Sequence, residues 1–148
     1  MAELAVGRVA LLSIHPRHAE AILAGDKRVE LRRVPLAAET THAVIYATAP
    51  VQKVVGWFEI DGIDEASQTS IWRLHGAVSG ITRQEHRDYY AGSPRAFAIR
   101  IARAHRLGKG LPLTELPDVK RPPQSFQYLD PETVGWLFGN AVYENRVS

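Results

Sequence analysis

The spacing of apolar and polar positions changes several times along the chain, and each change marks an element. Val9 to Ile14 is a short, nearly continuous apolar run, the pattern of a buried strand. Behind Pro16, a favoured first helical residue, Ala19, Ile22 and Leu23 recur at three- and four-residue spacing and predict a helix ending near Ala24. Gly25 stands where helices commonly stop, because glycine takes a left-handed conformation without a steric penalty. From Lys27 to Val34 the period drops to two. Val29 and Leu31 fall on one side and Arg28, Glu30 and Arg32 on the other, a strand with one charged face. The plain expectation for such a face is a solvated outer strand.

Two further strands are expected in HAVIYATAP, ending at Pro50, and in VVGWFEI, from Val54 to Ile60. The middle of the chain then turns helical. Asp64 is expected to cap a helix carrying Ile71, Trp72 and Leu74, and Thr82 with Glu85 forms a capping box ahead of HRDYY. Phe97, Ile99 and Ile101 alternate with Ala98 and Arg100, which restores a strand. Leu111 to Pro123 is proline-bearing and reads as irregular, and SFQYL after Pro122 and Pro123 reads as extended. Asp130 caps a last helix with Pro131 at its first position and Val134, Leu137 and Phe138 on its apolar side. Strands outnumber helices and are joined by short turns, so the expected class is α+β, a mixed or antiparallel sheet curled toward a barrel with helices outside it. Without repeats or long linkers, one domain over 1–148 is expected, with a core over about 8–129 and a C-terminal helix over 130–140.

Composition narrows the chemistry. The chain has no cysteine, so neither disulfides nor a zinc–cysteine site contribute. No run approaches the roughly eighteen apolar residues of a membrane span, and the N-terminus lacks the pattern of a signal peptide, so a cytoplasmic protein without a membrane partner is expected. The formal net charge is only +2, but acids concentrate from Glu59 to Glu65, whereas Tyr89 to Thr114 contains none and carries Arg95, Arg100, Arg103, Arg106 and Lys109. That stretch is a candidate footprint for nucleic acid, with Arg100 and Arg103 as contacts; its plain alternative is an exposed basic strand face. GAVSG places its serine one position too late for a nucleophile elbow, and no phosphate-binding glycine spacing occurs. His15 and His18 are three apart with no third ligand nearby, so neither a metal nor another cofactor is expected. Trp57, Trp72 and Trp136 read most simply as core anchors.

Gly25 to Arg32 also matches G-x-K-x-x-E-x-R, and in this motif the chain resembles the ASCH domain family, a branch of the PUA-like superfamily. LLSIHPRHAEAILAG is similar to the family's first strand and helix, YATAPVQKVVGWFEI to the strands that follow, RAFAIRI to a later barrel strand, and PPQSFQYL to a closing segment of a bacterial subgroup of small single-domain members. The resemblance implies a small β-barrel with flanking helices and a cleft lined by Lys27, Glu30 and Arg32. It implies as partner RNA, another single-stranded nucleic acid, or a nucleoside or nucleotide. Lys27 offers a point charge suited to phosphate, Arg32 a planar fork, and Glu30 either a brace for that fork or an acceptor for a base amino group. As a cation at a strand entrance, Lys27 is expected to be at least partly exposed. A structural Glu30–Arg32 ion pair is the competing reading.

The same resemblance leaves an enzyme open, acting on RNA or on a modified nucleoside, with Lys27, Tyr46 and Ser125 as the candidate catalytic groups. The family's hydrolytic branch carries threonine where Glu30 stands. A carboxylate beside Lys27 is expected to keep it protonated, which counts against amide hydrolysis by a lysine–threonine pair. A protein-interaction module that uses the motif only to hold the barrel together is the third class. The sequence leaves the oligomeric state open.

Overall fold

A computed structural model describes residues 5–147. Strand β1 (Arg8–Ile14) leads into helix α1 (Pro16–Leu23), then β2 (Val29–Arg32), β3 (Thr40–Ala47) and β4 (Lys53–Ala66). Helix α2 (Gln68–His75), a 3-10 turn (Gly76–Val78) and α3 (Arg83–Tyr90) separate β4 from β5 (Ala96–Leu111). A second 3-10 turn (Leu113–Glu115), β6 (Phe126–Tyr128) and α4 (Pro131–Val147) complete the chain. The strands form one mixed sheet in the order β2-β5-β4-β3-β1-β6, with β1 and β3 parallel and the other neighbours antiparallel. The sheet curls into a half-barrel rather than a closed one.

Alternation along the strands divides the core. Leu11, Val44, Tyr46 and Trp57 pack on one face with Leu137 of α4, whereas Leu12, Ile14, Ile45, Phe58 and Ile99 pack on the other with Ala19 and Ile22 of α1. A third cluster joins Val29 and Leu31 of β2 to Ile71 and Tyr90 of the α2–α3 layer. Each of the largest buried side chains stabilises the fold by roughly 1.5–3 kcal/mol.

Four local expectations need correction. β4 does not stop at Ile60 but runs to Ala66, and the cap of α2 is Ser67, whose hydroxyl accepts from the Ser70 amide at 3.2 Å, not Asp64. Register shifts at Glu59–Ile60 and Ile60–Gly62 break the simple alternation, so the acidic stretch looks like a loop in sequence although it is strand. β5 likewise continues to Leu111. Trp136 stands 41% exposed on α4, whereas Trp57 is buried as expected. The capping box of Thr82 and Glu85 is formed.

Candidate functional site

The two ends of the sheet are not joined by a ladder. β2 and β6 lie at opposite edges of the strand order, yet Arg32 at the end of β2 reaches the other edge. Its Nη2 donates to the Ser13 carbonyl at 3.1 Å, and its Nη1 donates to the hydroxyl and carbonyl oxygens of Ser125 at 3.2 and 3.4 Å. Glu30, two residues earlier on the same face, pairs with Nη2 at 3.0 Å, and the two side chains are only 9% and 10% exposed. The charged face of β2 is therefore buried. The solvated-strand expectation fails because the sheet curls and the far edge covers this face. Arg32 Nε is buried without a hydrogen-bond partner among the described residues.

Lys27 enters the same space from the helix stop. Gly25 takes φ +85°, and the amides of Asp26 and Lys27 both donate to the Ala21 carbonyl, turning the chain back over α1. The Lys27 stem packs against Gly80, and its Nζ donates to the Ser79 carbonyl. At 3% exposure it is buried, contrary to expectation, because residues 76–80 fold over it. Burial lowers its pKa, with Glu30 opposing the shift. The expected carboxylate clamp is thus outweighed by desolvation. No ion pair to Lys27 occurs among the described residues, and its hydrogen-bond partner is a carbonyl rather than a hydroxyl.

These groups line a cleft of about 500 Å³ bounded by α1, β2, α3 and residues 124–125. On its rim Arg17 donates to Glu85 at 2.7 Å and to His18 Nε2 at 3.2 Å. Burial, with Lys27, Arg17 and His15 nearby, pushes His18 down to about 4, so its ring is neutral. The His15 ring lies 6.5 Å from that of His18. Tyr89 forms part of the wall, its hydroxyl donating to the Leu31 carbonyl at 3.2 Å and its ring carrying the Arg33 guanidinium at 4.9 Å. Four cations, Arg17, Lys27, Arg32 and Arg33, thus face the cleft against two carboxylates, Glu30 and Glu85.

The structure therefore brings Lys27, Glu30, Arg32 and Ser125 together and leaves three candidates outside. Tyr46 stands in register beside Ser13 on β1 but is 4% exposed in the core and does not line the cleft. Arg100 bonds Asp64 and lies 3.4 Å from Asp61, and Arg103 faces Glu59 at 3.8 Å. With Arg95 on Glu65 at 3.2 Å, these three arginines lie across from the acidic stretch, so their charge is matched rather than offered. Gly62 belongs to this arrangement, since a Cβ there would collide with the Arg100 guanidinium. Sequence reasoning missed His15, Arg17, His18, Glu85 and Tyr89 as cleft residues. The available signal was the His-Pro-Arg-His stretch at the start of the helix that delivers the motif. No cluster of three or more potential metal ligands occurs among the described residues, and no helix there is long and apolar enough to cross a membrane.

No protein-family profile matches the chain. It is 32% identical over 136 residues to an ASCH domain-containing ribonuclease of Zymomonas mobilis, covering 89% of this chain and 91% of that protein. The crystal structure of ASCH from Zymomonas mobilis superposes with a TM-score of 0.78 at 29% identity, covering 88% and 94% of the two chains. A serine-to-alanine variant of that protein gives 0.82 at 30% identity, covering 89% and 95%.

Proposed function

The chain belongs to the ASCH domain family, and on that premise we propose that it binds single-stranded RNA, or a nucleotide-like fragment of it, in the cleft around Lys27, Glu30 and Arg32. The observation that carries this reading is the buried Lys27 amino group, which lacks a contacting carboxylate among the described residues in a cleft where basic side chains exceed acids. Burying such a group is costly unless an anion arrives to pair with it, and phosphate is the anion that RNA supplies. A volume of about 500 Å³ suits one nucleotide unit with its base against the Tyr89 wall, not a duplex. Arg32 and Glu30 shape the pocket, and Arg17 and Arg33 at the rim meet flanking phosphates.

RNA cleavage is the second reading, favoured by the name ribonuclease that the Zymomonas relative carries. Hydrolysis of a modified nucleoside has less support, since Lys27 has no hydroxyl partner among the described residues.

Anisotropy titration of a labelled single-stranded RNA tests the binding reading. Affinity should be measurable at about 50 mM salt and fall with log[salt] at a slope near −0.7 per phosphate neutralised. Absent binding, or an affinity indifferent to salt, rejects the cleft as a phosphate site.

A further inference from the structure

We propose that His15 is the proton acceptor for cleavage of an RNA phosphodiester held in the cleft, a role that rests on the cleavage reading above. Among the described cleft residues, nearly every other group able to accept a proton is already engaged. Glu30 is bound to Arg32, Glu85 accepts from both Arg17 and the Thr82 amide, and the Ser125 hydroxyl accepts from Arg32. Tyr89 donates to Leu31, and burial raises its pKa. His18 Nε2 is spent on Arg17, a pure donor, so His18 braces Arg17 rather than exchanging protons.

His15 differs from all of these. It precedes Pro16 at the start of α1, its side chain does not cap the helix, and its exposed ring makes no hydrogen bond among the described residues. It lines the same cleft as Lys27 and Arg17. An imidazole with a free lone pair is the side chain best suited to proton transfer near neutral pH. In the step assigned to it, His15 takes the proton of a ribose 2′-hydroxyl as that oxygen bonds to the adjacent phosphorus. The bond from phosphorus to the 5′ oxygen breaks with its electron pair on that oxygen, which takes a proton from water, and His15 returns its own proton to solvent. The products are a 2′,3′-cyclic phosphate and a 5′-hydroxyl end. Lys27 and Arg17 hold the non-bridging oxygens, where charge accumulates.

The test uses the full chain and a labelled single-stranded RNA oligonucleotide, with products identified by mass spectrometry. Wild-type protein should leave cyclic phosphate ends and fail on an oligonucleotide carrying 2′-deoxyribose before the scissile phosphate. His15→Ala should lower kcat at least about 100-fold while KM moves less than about threefold. Added imidazole should restore part of the loss, which a merely structural defect would not allow. Undiminished cleavage by His15→Ala, a loss that imidazole does not repair, or cleavage of the deoxy-substituted strand overturns the proposal. Wild-type protein that binds RNA but leaves it intact overturns this role and the cleavage reading, while RNA binding stands.

Discussion

Along the β4–β5 ladder Arg95, Arg100 and Arg103 of the acid-free stretch pair with carboxylates of the acidic stretch, and the Arg95–Glu65 and Arg100–Asp61 pairs are open to solvent in part. In the cleft the Arg32–Glu30 pair is about nine-tenths buried, and Lys27 beside it has no carboxylate in contact among the described residues. The same residue types carry different energies in the two places. Exposed pairs contribute about 0–1 kcal/mol each and are screened by salt. A buried pair costs desolvation that only good geometry repays, and removing one partner strands the other. Counted along the sequence, the ladder looks like the stronger anion site. Counted in space, it is matched and the cleft is not.

The largest expected effect separates the two regions by stability. Glu30→Ala should cost about 3–5 kcal/mol in urea unfolding, because it leaves the Arg32 guanidinium buried and unpaired, whereas Asp61→Ala should cost under about 1 kcal/mol. Equal losses would erase the distinction. Next comes ligand affinity. Lys27→Met keeps the stem and removes the charge, so RNA binding should weaken at least about tenfold with the salt slope reduced by about one charge, while Arg103→Ala stays within about twofold. A larger loss at Arg103 would move the nucleic-acid surface back to the ladder. The smallest effect is acid titration at the rim. The Arg17 hydrogen bond holds Glu85 down at about 2 from 4.5. The folded state therefore binds fewer protons than the unfolded one between these values, so this contribution is present above 4.5 and lost as pH falls toward 2. Glu85→Gln should flatten that limb of the stability–pH curve. An unchanged limb would show that Arg17 exerts no such hold in solution.

Legibility followed the range of the forces involved. The helix stop at Gly25, the alternation through β2 and the Thr82 capping box depend on neighbours within a few residues, and all could be read from the sequence. Lys27, Glu30 and Arg32 were singled out because they share one short motif. Their burial was not legible, because what covers them comes from far along the chain. Ser79 lies 52 residues from Lys27, and Ser125 lies 93 from Arg32. The neutralisation of Arg100 and Arg103 likewise depends on a strand register containing irregularities that period-two reading does not anticipate. Tyr46 is the opposite case. The family resemblance made it a candidate, and Val44 and Tyr46 project to the same face, into the core with Trp57, outside the cleft lining.

The hydrogen bonds around β2 also bear on how copies of this chain meet. A strand at the end of an open sheet exposes unpaired backbone groups on which another molecule's strand can dock and start aggregation. Here the Tyr89 hydroxyl takes the Leu31 carbonyl and the Tyr90 hydroxyl takes the Arg32 carbonyl, at 3.2 and 3.1 Å. α3 thus lies against the margin where a foreign strand would otherwise add. Tyr89, which helps wall the cleft, and Tyr90 beside it in the core also make the half-open barrel a poor template for its own polymerisation.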